Sequence, residues 1–271
     1  MAASDGGSGR LRVGTLQFHP TFGDVGRNRE RVCEALANIE ADLLVLPELP
    51  FTGYHFADRA EALALAEPLD DSPTLMRLVQ LCGERRFHLV TGFAERAGEK
   101  LFNSALLIGP EGLIDCYRKL HLFNTETAIF DPGDQPLRVH EVAGARIGMM
   151  VCFDWVFPEV ARTLALRGAQ VLCHPSNLVL TFCQQAMITR SIENRVFAAT
   201  ANRFGEDRRP HGTLDFTGQS QLTTPKGELL FRCSGDAEQV CVAAIDPAEA
   251  DGKYITPANH VHDDRRPEFY A

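Results

Sequence analysis

Three side chains that could carry out acyl transfer each follow a strand-like segment of the chain. Glu48 follows the run LLVLP, Lys119 follows CYR, and Cys152 follows IGMMV. A thiol attacks a carbonyl carbon as its thiolate, and only roughly a few per cent of an ordinary thiol is ionised near neutral pH. A carboxylate can accept the thiol proton, while an ammonium stabilises the thiolate and then the oxyanion. Together the three residue types predict a cysteine-dependent acyl-transfer site.

The segment around Cys152 predicts a sharp turn from a strand into a helix. Residues 147–151 are apolar and strand-like, and an amphipathic pattern over 157–167 ends at Gly168. A cysteine at such a turn faces a cleft, and the backbone N–H groups that follow it point the same way. The N–H of Phe153 is therefore a candidate donor to an oxyanion.

Strand-like and helix-like segments alternate along most of the chain. Apolar runs of four to eight residues predict strands, and apolar residues recurring every three to four positions predict helices. The predicted strands are 11–18, 43–47, 87–94, 101–108, 113–117, 147–151, 170–174, 196–201, 220–224, 228–232 and 239–245. The predicted helices are 24–39, 75–85 after a Ser72-Pro73 start, 157–167 and 184–194. This alternation predicts an α/β layered domain with helices over the faces of its sheets.

The composition favours one domain and excludes several classes of partner. The chain has 271 residues, 45% of them hydrophobic, and a formal charge of −9, whereas a nucleic-acid partner needs a basic face. There is no apolar run of about 18 residues to span a membrane. Residues 1–10 lack the apolar centre of a signal peptide and predict a flexible lead. We therefore expect a cytoplasmic protein with one domain over 11–271, whose polar tail spans 251–271.

The eight cysteines favour reduced thiols over disulfides or a metal site. None of them forms a C-x-x-C pair, the spacing typical of zinc ligands. Most lie within apolar segments, where a free cysteine behaves as a small buried hydrophobe. We therefore expect no metal, and Cys152 is the one thiol with a predicted chemical role.

Three blocks of this sequence resemble the signature blocks of the nitrilase superfamily of carbon–nitrogen hydrolases. They are LPEL at 46–49, YRKLHLF at 117–123 and CFDWVFPE at 152–159, and weaker matches cover most of the chain from residue 11. The sequence is most similar to the short, single-domain microbial members. The resemblance implies a four-layer αββα sandwich that pairs through a helical face into a homodimer or a higher even-numbered oligomer. The polar tail 251–271, which contains prolines and carries Phe269 and Tyr270 near its end, is expected either to extend into solvent or to dock at a subunit interface.

The same resemblance assigns roles to the site residues. Glu48 is expected to be the general base and acid, Lys119 the oxyanion stabiliser, and Cys152 the nucleophile. Glu126 matches a second glutamate of the family, which would keep Lys119 charged and orient the substrate nitrogen. An exposed loop carboxylate is the alternative interpretation of Glu126. No cofactor is needed, since side chains supply every function.

The two residues that follow Cys152 indicate which type of bond is cleaved. The true nitrilases of the family tend to have Trp-Glu after the cysteine, whereas Phe153-Asp154 follows here. This departure favours a small linear amide or carbamoyl amide as substrate, with release of ammonia and a carboxylic acid. The alternatives are a small aliphatic nitrilase using the same triad and a catalytically silent binding or assembly module. Acyl transfer to an acceptor other than water, which would use the same triad, is a third alternative.

The remaining predictions concern the substrate pocket and the nearby basic residues. Arg190 and Arg195 could bind a substrate carboxylate or form structural ion pairs with Glu193 or a neighbour. His121 and His174 flank the motifs, and we expect satisfied structural histidines there because Glu48 already fills the role of the base. The candidate pocket residues are Tyr54, Phe123, Trp155 and Asn177, together with Phe153 and Phe182.

Overall fold

The computed structural model describes residues 9–270. Residues 1–8, most of the predicted lead, lie outside the described residues, as does Ala271. The strands are β1 Leu11–Gln17, β2 Leu43–Val45, β3 His88–Ala97, β4 Lys100–Gly109, β5 Gly112–Arg118, β6 Val139–Val142, β7 Ala145–Met149, β8 Val171–Ser176, β9 Phe197–Asn202, β10 Phe204–Arg209, β11 Gly212–Thr217, β12 Gln221–Thr223, β13 Leu229–Arg232, β14 Gln239–Ile245, β15 Tyr254–Thr256 and β16 Asn259–His260. The α-helices are α1 Val25–Leu36, α2 Arg59–Leu65, α3 Pro73–Arg85, α4 Glu126–Ile129, α5 Pro158–Leu166 and α6 Cys183–Asn194.

The larger strands form two six-stranded sheets. The first has the order β14-β1-β2-β3-β4-β5, with β1, β2 and β3 parallel. The second has the order β13-β12-β9-β8-β7-β6, with β7, β8 and β9 parallel. Parallel neighbours require a crossover connection, which the helices between the strands supply. Both sheets therefore combine a parallel centre with antiparallel additions.

The two sheets pack face to face over a shared core. Val13 and Val90 of the first sheet join Ile147 and Leu172 of the second in one buried cluster. On the outer face of the first sheet, α1 and α3 bury an apolar stripe against residues such as Leu44. On the other side, α5 and α6 pack against the second sheet. These four layers confirm the predicted αββα sandwich.

Helix α3 illustrates how the sequence sets an element's boundaries. The Ser72 hydroxyl accepts a hydrogen bond from the N–H of Leu75 at 2.9 Å, and Pro73 occupies the first helical position. Such a cap satisfies one of the free N–H groups of the first turn, and proline has no N–H to leave unpaired there. The helix ends at Arg85, and the next residue, Arg86, adopts a left-handed conformation with φ of 56°. The prediction from the Ser-Pro start is confirmed.

Several elements were missing from the sequence predictions. They include α2, β6 and the β10–β11 hairpin. A 3-10 helix over Cys152–Val156, between β7 and α5, was also not predicted. Strand β14 follows β13 along the chain, but β13 belongs to the second sheet whereas β14 pairs with β1 in the first. Short segments of this kind are set by tertiary pairing, which local pattern does not encode.

The tail is polar and carries exposed aromatic side chains. It forms the small β15–β16 sheet, and Tyr254, Phe269 and Tyr270 are all more than half exposed. The division of the chain into lead, domain and tail, the homodimer, and docking of the tail on a partner stay predictions. No helix within residues 9–270 has the length and apolarity needed to cross a membrane.

Candidate active site

The fold brings Glu48, Lys119 and Cys152 into one region. Glu48 lies just beyond β2, Lys119 directly follows β5, and Cys152 lies just beyond β7 of the opposite sheet. Glu48 and Lys119 are each at most 1% exposed and Cys152 is 5% exposed. Three segments distant in sequence therefore contribute a carboxylate, an ammonium and a thiol to the interior between the sheets.

Lys119 joins two buried carboxylates. Its Nζ donates to Glu48 Oε1 at 2.8 Å and to both carboxylate oxygens of Glu126 at 2.8 Å. Burial would by itself lower the pKa of Lys119, but the charges of Glu126 and then Glu48 outweigh it and raise that pKa above its ordinary value. Lys119 is therefore a permanent cation, which suits it to stabilise an oxyanion.

Within residues 9–270, only one of the two carboxylate oxygens of Glu48 accepts hydrogen bonds. Oε1 accepts hydrogen bonds from Lys119 and from Asn103 Nδ2, the latter at 2.7 Å. Oε2 is buried and has no hydrogen-bond partner among the described residues. Burial raises the pKa of Glu48 above its ordinary value, although Lys119 opposes the shift. A raised pKa makes Glu48 a stronger proton acceptor than an exposed carboxylate.

The backbone at Glu48 is fixed from two directions. Asn177 Nδ2 donates to the carbonyl of Glu48 at 2.8 Å. A Cβ added at Gly92 would lie 2.5 Å from Glu48 Cα and 2.3 Å from the N of Leu49, so β3 can approach this segment only because residue 92 is glycine. The predicted pocket residue Asn177 thus also fixes the backbone of Glu48, the predicted base.

Glu126 belongs to the buried site and is not the exposed loop carboxylate of the alternative interpretation. It is 2% exposed and begins helix α4. Besides Lys119, Oε1 accepts from the Tyr54 hydroxyl at 2.5 Å and Oε2 accepts from the N–H of Phe123 at 3.2 Å. Tyr54 was predicted as a pocket residue, and its hydroxyl binds this carboxylate.

Cys152 is the first residue of the 3-10 helix that follows β7, and it has a positive φ of 40°. A residue with a side chain rarely adopts this conformation, and its cost is tolerated only where the surroundings fix it. Burial, followed by the charge of Glu48, raises the pKa of the Cys152 thiol well above its ordinary value, while Lys119 lowers it. The Cys152 side chain is therefore a neutral thiol in the resting site. Lys119 was expected to stabilise a thiolate, but in the resting site burial and the charge of Glu48 outweigh its effect on the pKa of this thiol.

Asp154 ties the turn at Cys152 to the segment that carries Lys119. Its Oδ2 accepts from the N–H of Val151 at 2.8 Å and from the Tyr117 hydroxyl at 2.7 Å. Its Oδ1 lies 2.8 Å from His121 Nδ1 and accepts from the N–H of His121 at 3.2 Å. Asp154 thus connects the nucleophile turn with the end of β5, and His121 is a structural partner.

His174 is fully buried behind the nucleophile. Its Nε2 lies 2.9 Å from the carbonyl of Cys152, and Nδ1 lies 3.1 Å from the Thr200 hydroxyl. Burial lowers the pKa of His174 to about 4, so the ring is neutral near pH 7. The expectation of a satisfied structural histidine agrees with these contacts.

Four of the predicted pocket residues line the space at Cys152, whereas Phe182 does not. A narrow cavity at Cys152 is lined by Phe123, Phe153, Trp155 and Asn177. Phe182 is 55% exposed and meets this group only through an edge contact with Trp155. Whether the N–H of Phe153 donates to an oxyanion stays a prediction.

The arginines and cysteines have structural surroundings. Arg190 pairs with Glu193 at 2.8 Å and donates to the carbonyl of Trp155, while Arg195 donates to the carbonyl of Pro225. All eight cysteines are free thiols. Within the described part of the chain, no three His, Cys, Asp or Glu side chains cluster as metal ligands do.

Two residues of the site had no predicted role. Asn103 supports Glu48 from the middle of β4, and Asp154 supports the turn at Cys152. Both are polar residues inside otherwise apolar segments. A buried polar group needs a partner, so such a position signals a specific hydrogen bond. The sequence alone does not reveal which group that partner is.

Comparison with known proteins identifies relatives that match most of the chain. The family model for carbon-nitrogen hydrolases matches residues 12–252. A nitrilase of Pyrococcus abyssi is 40% identical over 263 residues, covering 96% of this chain and 99% of the relative. An N-carbamoylputrescine amidase of Solanum lycopersicum is 32% identical over 287 residues, covering 96% and 93%. Among solved structures, a mutant amidase of Nesterenkonia sp. AN1, with the acetamide moiety of fluoroacetamide added covalently at its active site cysteine, has a TM-score of 0.78 at 25% identity and covers 96% of this chain and 95% of its own.

Proposed function

This chain belongs to the carbon–nitrogen hydrolase family of the nitrilase superfamily, and from that membership we propose that it is a cysteine-dependent amidase. The family acts on carbon–nitrogen bonds other than peptide bonds. The proposed substrate is a small linear amide, which gives ammonia and a carboxylic acid, or a carbamoyl amide, which gives ammonia and a carbamic acid that breaks down to an amine and CO2. The observation that carries the proposal is the pair of buried carboxylates joined by Lys119 in the region of Cys152.

The proposed reaction begins with attack by Cys152 Sγ on the amide carbon. The raised pKa of this thiol means that Glu48 accepts its proton as the carbon–sulfur bond forms. The free, buried Oε2 of Glu48 is the atom available to take it. Lys119 and the N–H of Phe153 would stabilise the oxyanion. Glu126 would keep Lys119 charged and in place.

The second half of the reaction reverses these proton transfers. Glu48 gives its proton to the departing nitrogen, the carbon–nitrogen bond breaks, and a thioester to Cys152 remains. Glu48 then removes a proton from water, which attacks the thioester carbon. Collapse of that intermediate breaks the carbon–sulfur bond, returns a proton to the thiol and releases the carboxylic acid. Each proton taken up by Glu48 is given back within one cycle.

A small nitrile is the second candidate substrate. The relative from Pyrococcus abyssi is a nitrilase, whereas the residues after Cys152 favour an amide. The relative from Solanum lycopersicum supports N-carbamoyl amines as a further class to test. A catalytically silent module has little support, because a buried ammonium with two carboxylates is costly to keep in a fold unless the groups are used.

The test is ammonia release from butyramide, an N-carbamoyl amine and butyronitrile. We expect the wild-type protein to release ammonia from the first two more readily than from the nitrile. Cys152→Ala and Glu48→Gln should each lose at least about 100-fold in kcat, the range typical of a removed nucleophile or base. Cys33→Ala, which removes a buried thiol from α1, is the matched control and should retain wild-type turnover. Full turnover by Cys152→Ala would refute the proposal.

A further inference from the structure

Two of the free thiols, those of Cys233 and Cys241, are in direct contact. Their Sγ atoms lie 3.4 Å apart. The sulfur atoms of a disulfide are about 2.05 Å apart, so an approach of roughly 1.4 Å would turn this contact into a bond. The pair is therefore already close to the geometry of a crosslink.

The two cysteines belong to different sheets. Cys233 directly follows β13, the edge strand of the second sheet, and Cys241 lies in β14, the edge strand of the first. Side chains alternate between the two faces of a strand. Phe231 and Ala243, each two residues from one of the cysteines, pack against the core that the sheets share. Both cysteines thus point inward and meet where the edges of the two sheets come together.

The backbone on both sides of the pair is held in place. The N–H of Cys233 donates to the carbonyl of Ser220 at 2.8 Å. In the connection that follows, Gln17 Nε2 donates to the carbonyls of Ser234 at 2.7 Å and Ala237 at 2.8 Å. Strand β14 is paired with β1 along its whole length. A bond between the sulfurs therefore requires movement of two side chains within a backbone that is already ordered.

Cys241 is the member of the pair that a reagent can reach. It is partly exposed, whereas Cys233 is only 5% exposed. Thiol–disulfide exchange depends on access to the attacking thiol, so an oxidant would react first at Cys241. Cys33 and Cys82, on α1 and α3, are at most 3% exposed and serve as the comparison. Neither offers an oxidant such access.

We propose that Cys233 and Cys241 form a reversible disulfide when the protein meets a disulfide oxidant. The thiolate of Cys241 attacks one sulfur of the oxidant, whose sulfur–sulfur bond breaks with release of one thiol. The thiolate of Cys233 then attacks the Cys241 sulfur, and the second thiol of the oxidant leaves. The two cysteines lose two electrons and two protons, which the oxidant takes up as it becomes two thiols. The new bond joins the edges of the two sheets, whatever the reaction at Cys152.

The second step should set the rate. Burial raises the pKa of Cys233 to about 12, so its thiolate is scarce near neutral pH. Below that pKa the thiolate fraction rises roughly tenfold for each pH unit. Formation of the bond should therefore be faster at pH 8 than at pH 7 by up to about that factor.

Peptide mapping after incubation with oxidised glutathione tests the proposal. The Cys152→Ala protein is used, so that the thiol of the active site cannot react, and remaining thiols are alkylated before digestion. Trypsin cuts after Arg232 and Lys253 and leaves both cysteines in the peptide 233–253. A second cleavage after Glu238 falls between them. We expect the two halves to stay joined, in a peptide lighter by two hydrogen atoms, and to separate after treatment with dithiothreitol.

Thermal unfolding gives an independent measure. A bond that closes the nine-residue loop 233–241 restricts the unfolded chain, so the oxidised protein should unfold about 5 °C higher than the reduced one. Cys241→Ser should abolish both the joined halves and this shift. Cys33→Ala, which removes a buried thiol from α1, is the matched control and should retain both.

Halves that separate without dithiothreitol would overturn the inference, even if Cys241→Ser failed to fold. Glutathione held at Cys241 with Cys233 still alkylated would overturn it as well, because Cys233 would then have failed to complete the exchange. The mapping needs no turnover. Failure of the wild-type protein to release ammonia from any amide would overturn the proposed function and leave this result unaffected.

Discussion

Lys119 Nζ lies 2.8 Å from Glu48 Oε1, and both side chains are wholly withdrawn from solvent. The same ammonium also contacts both oxygens of Glu126. One positive charge therefore faces two carboxylates, which leaves a formal charge of −1 on the three groups. Buried charges persist only when they are paired and hydrogen-bonded. Lys119 is thus required for the stability of the site as well as for its proposed chemistry.

We expect Lys119→Met to destabilise the protein by about 3–5 kcal/mol, the cost of leaving a buried charge unpaired. Urea unfolding at pH 7 would measure the change. Lys100→Met is the matched control, because Lys100 lies 3.7 Å from Asp134 with 60% of its side chain exposed. Its loss should cost at most about 0.5 kcal/mol.

A second substitution separates the charge effect from the loss of packing. In Lys119→Met/Glu126→Gln one carboxylate becomes a neutral amide, so fewer buried charges lack a partner. The double variant should be more stable than Lys119→Met alone, although Glu126→Gln should destabilise the wild-type protein. Equal unfolding midpoints for the two Lys119 variants would contradict this account.

His174 should make stability depend on pH. The unfolded chain binds a proton at this histidine near pH 6.5, whereas the buried ring binds one only near pH 4. Unfolding therefore takes up a proton between these values, and the free energy of unfolding falls as the pH falls from 6.5 to 4. The full effect is about 3 kcal/mol. His174→Gln should flatten this part of the pH profile.

Urea unfolding at several pH values would follow the effect. His140→Gln is the control, because His140 lies on β6 beside Asp115 and away from the nucleophile turn. It should leave the slope between pH 4 and 6.5 in place. A slope as steep in His174→Gln as in the wild-type protein would show that another group is responsible.

Asp154→Asn should lower both stability and kcat. Asparagine has one acceptor oxygen where aspartate has two, so the N–H of Val151 and the groups of His121 cannot all keep their partner. One lost buried hydrogen bond costs about 1–3 kcal/mol. The turn that holds Cys152 would shift as well, and ammonia release would fall about tenfold or more.

Tyr117→Phe removes a single donor to Asp154 and should leave kcat closer to that of the wild-type protein. The same kcat in both variants would argue against a positioning role for Asp154.

The three chemical groups could be predicted from the sequence because each follows a strand-like segment. Strand ends meet where the layers of an α/β fold leave a cleft, so Glu48, Lys119 and Cys152 were expected to lie together. The resemblance to a known family added Glu126. These inferences depend on local pattern and on motif spacing, both of which the chain displays directly.

The supporting contacts could not be predicted in the same way. The bond from Asn103 to Glu48 joins residues 55 positions apart, and that from Tyr54 to Glu126 joins residues 72 positions apart. The protonation state of Cys152 depends on burial and on the sum of nearby charges, neither of which is local. The β10–β11 hairpin was not predicted because its short, polar strands show little of the apolar periodicity that predicts a strand. Tertiary packing decides each of these features.

Gly92 gives a last, purely steric test of how Glu48 is positioned. A Cβ at this position would lie 2.3 Å from the N of Leu49 and 2.5 Å from Glu48 Cα, and both are backbone atoms that cannot rotate away. Gly92→Ala must therefore push the Glu48 segment from β3 and away from Lys119. We expect a loss of about 1–3 kcal/mol in stability, as for other overpacked sites. A displacement of the base by about 1 Å should lower kcat roughly 100-fold.

Gly26→Ala is the matched control for this substitution. Gly26 lies in the first turn of α1, and an added Cβ there meets nothing within 4 Å. Alanine at such a position is neutral or stabilises by about 0.5–1 kcal/mol, because it restricts the unfolded chain. Ammonia release and urea unfolding would be measured on both variants. Wild-type kcat in Gly92→Ala would mean that Glu48 tolerates displacement, and the proposed role of its fixed position in proton transfer would be wrong.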